Sequence, residues 1–295
     1  MVASSHLVDL QIVPQFHLED SITAHWATVG LCELASANVV GYQAIEVKRG
    51  FNMIAFNFEP VDGSEAFAVT NFISNAENLI AGTGAANSDQ IQVWDGSKFD
   101  VYFYRAYKAT NPNKFLLGPA WVKVGAIGSI TTDTIPHGAG VWFARPSTAP
   151  ETATITVSGS VGKGAFTHSI ASGFNMMSSA FPADMPLNTL TAEETGAEAQ
   201  TCPIDWAACG AVSGTGAANS DQIQVWDGSK FDVYFYRAYK ATNPNKFLLG
   251  PAWVKVGAIG VKTADRIPAG KGFWYARPSS QAAGSLVESS PIAEQ

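Results

Sequence analysis

The sequence predicts an all-β protein made of two tandem antiparallel β-sandwich or barrel-like domains. Three observations carry that prediction. First, the chain contains the same 47 residues twice: Gly82–Gly128 recurs letter for letter as Gly214–Gly260, displaced by 132 positions. A repeat this long means two copies of one structural unit. Second, short runs of alternating apolar and polar residues, bounded by Gly, Pro, Asn and Asp, recur along the chain, whereas capped segments of 3.6-residue apolar period do not. Third, 46% of residues are apolar and 15% charged, enough to build a core and too few charges for a disordered chain.

The elements follow in chain order. Residues 1–37 read as a leader or degenerate export signal: Ala35-Ser36-Ala37 has the small-x-small form of a cleavage site, but His25 and Glu33 interrupt the apolar stretch and no Lys or Arg precedes Lys48. The first domain is placed at 38–148. Tyr42–Val47 and Phe51–Phe58 open it as strands, and Phe72–Ile80 is the best helix candidate. Ile91–Trp94 alternates, Asp95-Gly96 supplies a hairpin turn, and Phe99–Tyr107 resumes the alternation. Asn111-Pro112-Asn113 turns the chain. Phe115–Val124 is a strand broken at Gly118-Pro119, because proline cannot donate to a ladder. Gly140–Arg145 is a strand closed by Pro146, and Thr152–Ser158, with its alternating β-branched residues, closes the first unit. The second domain is placed at 149–280 and a flexible tail at 281–295.

Outside the identical block the similarity falls abruptly. Ser129–Ser147 and Val261–Ser279 agree at 11 of 19 positions and share the frame I-P-x-G-x-G-x-W-x-A-R-P-S. Gly50-Phe51-Asn52-Met53 returns as Gly173-Phe174-Asn175-Met176, at an offset of 123. Cores tolerate swaps that keep volume and pattern, so packing does not demand identity, and the abrupt edge favours recent copying. The glycines of both flanking motifs are expected where a positive φ or a close backbone approach is needed.

The formal net charge is −7, unevenly spread. Each identical block holds five Lys or Arg against three Asp, while residues 1–47 and the stretch from Asp184 to Asp205 each hold five acids and no base. Without a basic stripe, nucleic acid is not an expected partner. No run of 18 apolar residues occurs, so no membrane-spanning helix is expected.

No catalytic signature is present: there is no G-x-S-x-G, H-E-x-x-H, phosphate loop or C-x-x-C. His137 is replaced by Ala269 in the second copy, which argues against a repeated histidine site, and His6, His17, His25 and His168 also lie outside the blocks. Asp89, Asp95 and Asp100, with their copies Asp221, Asp227 and Asp232, are the only carboxylates in the blocks, and turn formation accounts for the latter two of each set. Asn87, Asp89 and Asp95 match no calcium loop. The expectation is therefore no catalytic residue, no metal and no cofactor.

Aromatic residues carry the stronger signal. Alternation in Phe99–Tyr107 puts Phe99, Val101 and Phe103 on one face and Tyr102 and Tyr104 on the other. The first face is the more apolar and is the expected core face. Tyr102 and Tyr104, extended by Trp94 and Trp121, would then form a partly exposed platform for sugar rings or another protein, repeated as Tyr234, Tyr236, Trp226 and Trp253. The alternative is that both faces are covered, one by the core and one by a loop or the sister domain. Cys202 and Cys209 share the loop unique to the second copy and are expected to form a local disulfide if the protein is exported, against two free thiols; Cys32 lacks the small preceding residue of a lipoprotein cysteine.

Asn38-Val39-Val40-Gly41-Tyr42, Gly50-Phe51-Asn52-Met53-Ile54, Ile91-Gln92-Val93-Trp94-Asp95 and Ile135-Pro136-x-Gly138-x-Gly140-x-Trp142-Phe143 occur in an order and spacing that resembles a group of secreted tandem β-repeat proteins from environmental bacteria of the Verrucomicrobia and Planctomycetes kind. The resemblance covers about residues 35–280. It implies a secreted β-domain and supplies no catalytic residues. The functional expectation is a non-enzymatic extracellular or surface protein, structural or adhesive, whose partner is itself or another surface protein. The alternative is a carbohydrate-binding module that uses the duplicated aromatic residues on polysaccharide.

Overall fold

The computed structural model describes residues 40–73, 76–106, 119–238 and 251–291. The leader with Cys32, His6, His17 and His25, Tyr107 and the turn at Asn111-Pro112-Asn113 lie outside these residues. The first half contains β1 (Val40–Lys48), β2 (Gly50–Ala55), β3 (Ala66–Ala68), β4 (Gln90–Trp94), β5 (Phe99–Arg105), β6 (Ala120–Lys123), β7 (Thr134–Pro136), β8 (Gly140–Arg145) and β9 (Thr152–Ser160). The second contains β10 (Phe166–Ile170), β11 (Gly173–Ser178), β12 (Met185–Pro186), β13 (Gln222–Trp226), β14 (Phe231–Arg237), β15 (Ala252–Lys255), β16 (Arg266–Ile267), β17 (Gly272–Arg277) and β18 (Gly284–Glu288). The protein is all-β apart from short helical turns, and its two halves are alike.

Each half is built on a five-stranded antiparallel sheet, ordered β2-β8-β4-β5-β6 in the first and β11-β17-β13-β14-β15 in the second. Two-stranded sheets, β1-β9 and β3-β7 in the first half and β10-β18 and β12-β16 in the second, complete the set. The expected hairpin is present: β4 and β5 pair from Trp94↔Phe99 to Gln90↔Phe103. Its turn is made by Asp95, whose carboxylate accepts from the Ser97 and Lys98 amides at 2.8 Å each, while Gly96 takes φ +100°. Among its described residues the Phe72–Ile80 region shows only a 3-10 turn at Ala76–Asn78, with another just before it at Val69–Asn71, in place of the expected helix.

Strand pairing places the halves differently from the sequence boundaries. β9 pairs with β1 along its length, and its Ile155 and Val157 are buried in the first core, so the first half runs on through residue 160. Gly284–Glu288, within the expected tail, is a strand paired with β10, and its Leu286 belongs to the second core.

The core lies between the inner face of each large sheet and the small sheets. In the first half it gathers Ile54, Ile91, Val141 and Phe143 from the large sheet, Phe67 and Ile135 from the β3-β7 pair, and Phe56, Phe58 and Phe72 from connecting segments. Burying one such phenylalanine stabilises the fold by roughly 1.5–3 kcal/mol. The core face of β5 is the reverse of the one expected. Tyr102 is 2% exposed and belongs to the core, and Tyr104 packs against it. Each tyrosine ring is apolar enough to bury, and the Tyr102 hydroxyl reaches Asp133 Oδ2 at 2.6 Å. Phe99 and Val101 sit on the opposite face, half-buried.

Candidate functional site

The two halves meet along a junction made by the motifs that flank the identical block. Gly50 and Gly173 take φ +88° and +87°, which glycine adopts without the steric cost of a side chain. Asn52 then binds back to Lys48, accepting from its amide at 2.8 Å and donating to its carbonyl at 2.7 Å; Asn175 does the same to Ala171 at 2.8 and 2.9 Å. This corner presents the carbonyls of Phe51 and Phe174 to the other half. Trp94 Nε1 donates to the Phe174 carbonyl at 3.0 Å, and Trp226 Nε1 donates to the Phe51 carbonyl at 3.0 Å.

The central contacts of the junction occur twice with the halves exchanged, whereas Asn57, whose Nδ2 donates to the Ser179 carbonyl at 2.5 Å and whose Oδ1 accepts from the Gly270 amide at 2.8 Å, makes contacts on one side only. Trp274 packs edge-on against Trp94 at 5.5 Å, and Trp142 against Trp226 at 5.8 Å. The Ala55 amide donates to the Gly270 carbonyl at 3.0 Å, and the Ser178 amide to the Gly138 carbonyl at 2.9 Å. Single antiparallel bridges join Ile54 to Lys271 and Ala139 to Met177. This is the self-complementary pattern of a two-fold dimer, here within one chain. At its centre Gly140 and Gly272 face each other. A Cβ on Gly140 would meet the Met177 carbonyl oxygen at 2.5 Å, and one on Gly272 would meet the Ile54 carbonyl oxygen at 2.8 Å. The expected close backbone approach is therefore an approach between the two halves.

Beside the junction lies a cleft of about 830 Å³, lined from both halves by residues including Glu59, Glu65, Trp94, His137, Phe166, His168 and Phe174. His137 Nε2 bonds the Ala180 carbonyl of the other half at 2.8 Å. A carbonyl only accepts, so Nε2 carries the proton and Nδ1 is left as an acceptor. Burial pushes the His137 pKa below the usual histidine range, which keeps the ring neutral at pH 7. Phe166 packs edge-on between His137 and His168, with centroids 4.6 and 4.7 Å away. His168 Nε2 meets the Glu288 carboxylate at 2.8 Å, and that carboxylate also accepts from Ser179 Oγ at 2.5 Å and the Ala180 amide at 2.9 Å. Glu288 is thus a buried acid with its oxygens satisfied.

The aromatic residues expected to form a platform divide into two groups. Tyr102, Trp121, Tyr234, Tyr236 and Trp253 are buried in the two cores, with Tyr104 packed against the first, so they offer no ring face to a ligand. The Tyr102/Tyr104 platform fails and the alternative, with both faces of β5 covered, holds: the opposite face turns toward the sister half, where Phe99 touches Trp274 and, in the second copy, Phe231 touches Trp142. Trp94 and Trp226 are half-buried in the junction.

The block carboxylates are structural. Asp100 and Asp232 pair with Lys123 at 2.8 Å and Lys255 at 3.0 Å, and Asp95 and Asp227 hold the hairpin turns. Asp89 is buried against Arg145 Nε at 3.3 Å. Among the described residues no three His, Cys, Asp or Glu side chains are grouped to hold a metal ion. Cys202 and Cys209 are separate thiols, not the expected disulfide. A turn runs between them, closed by the Cys209 amide on the Asp205 carbonyl at 2.9 Å; Cys202 Sγ accepts from the Trp206 indole at 3.1 Å and Cys209 Sγ from the Val287 amide at 3.3 Å. Burial pushes the Cys202 thiol up to about 11.

The junction and its cleft were not foreseen from the sequence. The available signal was the G-F-N and G-x-G-x-W pair, which persists where the surrounding residues vary. Comparison with protein-family models, with curated proteins and with solved structures finds no match.

Proposed function

We propose that the protein is a non-enzymatic structural or adhesive module that acts outside the cell or at its surface and presents one surface twice from one clamped body. The observation that carries this reading is the fate of the duplicated loop after β6 and β15. Val124 and Ile127 are 51% and 47% exposed, and their copies Val256 and Ile259 are 53% and 46% exposed. These apolar side chains do not hang on loose chain: the Arg105 guanidinium donates to the Ile127 carbonyl, and Arg237 does the same to Ile259. Paired apolar loops held in fixed positions suit association with a second copy or with another surface protein. The structural use of every block carboxylate fits the same reading.

Size-exclusion chromatography with light scattering, followed by negative-stain microscopy, tests it. The reading expects concentration-dependent oligomers or fibres that Ile127→Asp/Ile259→Asp abolishes while the far-ultraviolet spectrum is kept. Strictly monomeric behaviour at high concentration overturns self-assembly.

A further inference from the structure

The glycine and tryptophan contacts of the lock are the same on both sides, but its flanks are not: Asn57 bridges Ser179 and Gly270 on one side, and His137 bonds Ala180 on the other. At positions equivalent to His137, Phe166, His168 and Glu59 the other side carries Ala269, Gln43, Ile45 and Pro182. Gln43 and Ile45 pack beneath Gly270 as Phe166 and His168 pack beneath Gly138. The contacts that occur on both sides therefore do not account for Phe166, His168 and Glu59, which are gathered on one side only. We propose that this cleft binds a neutral oligosaccharide.

The chemistry of the walls selects that ligand. Phe174, 52% exposed, lines the cleft together with Trp94, giving apolar ring surface against which the C–H face of a sugar packs. Glu59 and Glu65 are exposed carboxylates on the same cleft, and a carboxylate accepts two hydroxyl donors from a vicinal diol. Gly162 leaves the space that the Glu59 carboxylate occupies, since a Cβ there would meet Glu59 Oε1 at 2.8 Å. Neutral His137 adds an acceptor nitrogen. Among the described lining residues there is no Lys or Arg, which disfavours an anionic ligand. His168, 6% exposed and held by Glu288, is a rigid polar group in the cleft. The volume lies in the range of small-molecule sites.

The inference goes beyond the structural role and does not depend on self-association. The full-length protein is titrated calorimetrically with cellotetraose, xylotetraose, laminaritetraose and mannotetraose, with spermidine as a cationic control. Binding of at least one tetrasaccharide is expected, weakened about tenfold or more by Phe174→Ala and by Glu59→Gln. Phe51→Ala, at the equivalent and equally exposed position of the other side, is expected to leave affinity within about twofold, a change too small to reflect a lost stacking contact. No binding of any tetrasaccharide overturns the proposal, as does binding of spermidine alone or an equal loss in Phe51→Ala and Phe174→Ala. Either result leaves the assembly experiment to be decided separately.

Discussion

Asp89 and Asp221 occupy the same place in two identical sequences, yet they are held by different partners. In the first half Asp89 pairs with the buried Arg145 at 3.3 Å and accepts from the Ile80 amide at 2.9 Å. In the second half Tyr275 stands where the first has Phe143. Its hydroxyl donates to Asp221 Oδ2 at 2.5 Å, beside the Val212 amide at 2.8 Å. Arg277 turns instead to the Gly210 carbonyl at 3.1 Å, and its Nε and Nη1, with Asp221 Oδ1, are buried without a hydrogen-bond partner. Burial pushes both carboxyls up; the Ile80 amide and Arg145 oppose that at Asp89, whereas Tyr275, the Val212 amide and, through its charge alone, Arg277 oppose it at Asp221. The difference teaches that identical residues do not guarantee an identical environment. The diverged flanks decide what the copied block does.

Breaking the two arrangements separately should give unequal losses. Arg145→Met strands a buried carboxylate and is expected to cost about 3–5 kcal/mol in urea unfolding, whereas Arg277→Met, which leaves Tyr275 on Asp221, should cost about 1–2 kcal/mol. Equal losses would show that the flanks do not set the environment. The junction makes the opposite forecast, because at its centre the halves are equivalent. Gly140→Ala and Gly272→Ala should each cost about 1–3 kcal/mol, and their melting temperatures should fall together. Tyr275→Phe sharpens the contrast at a smaller scale: loss of one donor to a buried carboxylate should cost about 1–2 kcal/mol, with no counterpart in the first half.

The smallest effect concerns pH. Backbone amides hold the exposed Asp227 carboxyl down at about 2, and Asp95 is lowered by the same contacts from Lys98 and Ser97. A carboxyl whose folded pKa lies below its unfolded value stabilises the fold above the unfolded value of about 3.8, and that contribution is lost as pH falls toward the folded value. Asp95→Asn/Asp227→Asn should therefore flatten the decline of stability between about pH 4 and 2, which acid titration by circular dichroism would detect. Each single variant should contribute equally, since the two hairpins are alike.

The fold class was legible because it rests on features that local sequence encodes. The repeat announced two units, and Asp95-Gly96 between alternating runs announced the hairpin. The orientation of β5 was not legible. Counting apolar residues favoured Phe99, Val101 and Phe103 as the core face, but both faces are covered, one by the core and one toward the sister half. A tyrosine also buries readily when its hydroxyl reaches a partner such as Asp133, which lies 31 residues away along the chain. The cleft was hidden for a related reason. His137, His168 and Glu59 come together only when the halves dock, and the change of His137 to Ala269, which argued against function, is what distinguishes the two sides.

The central claim is that the flanking motifs clamp two copied units into one cooperative body. Differential scanning calorimetry tests it most directly. A single unfolding transition, with calorimetric and van't Hoff enthalpies equal, is the predicted result, and Gly140→Ala/Gly272→Ala should split or broaden it. Two separable transitions in the unmodified protein would contradict the claim.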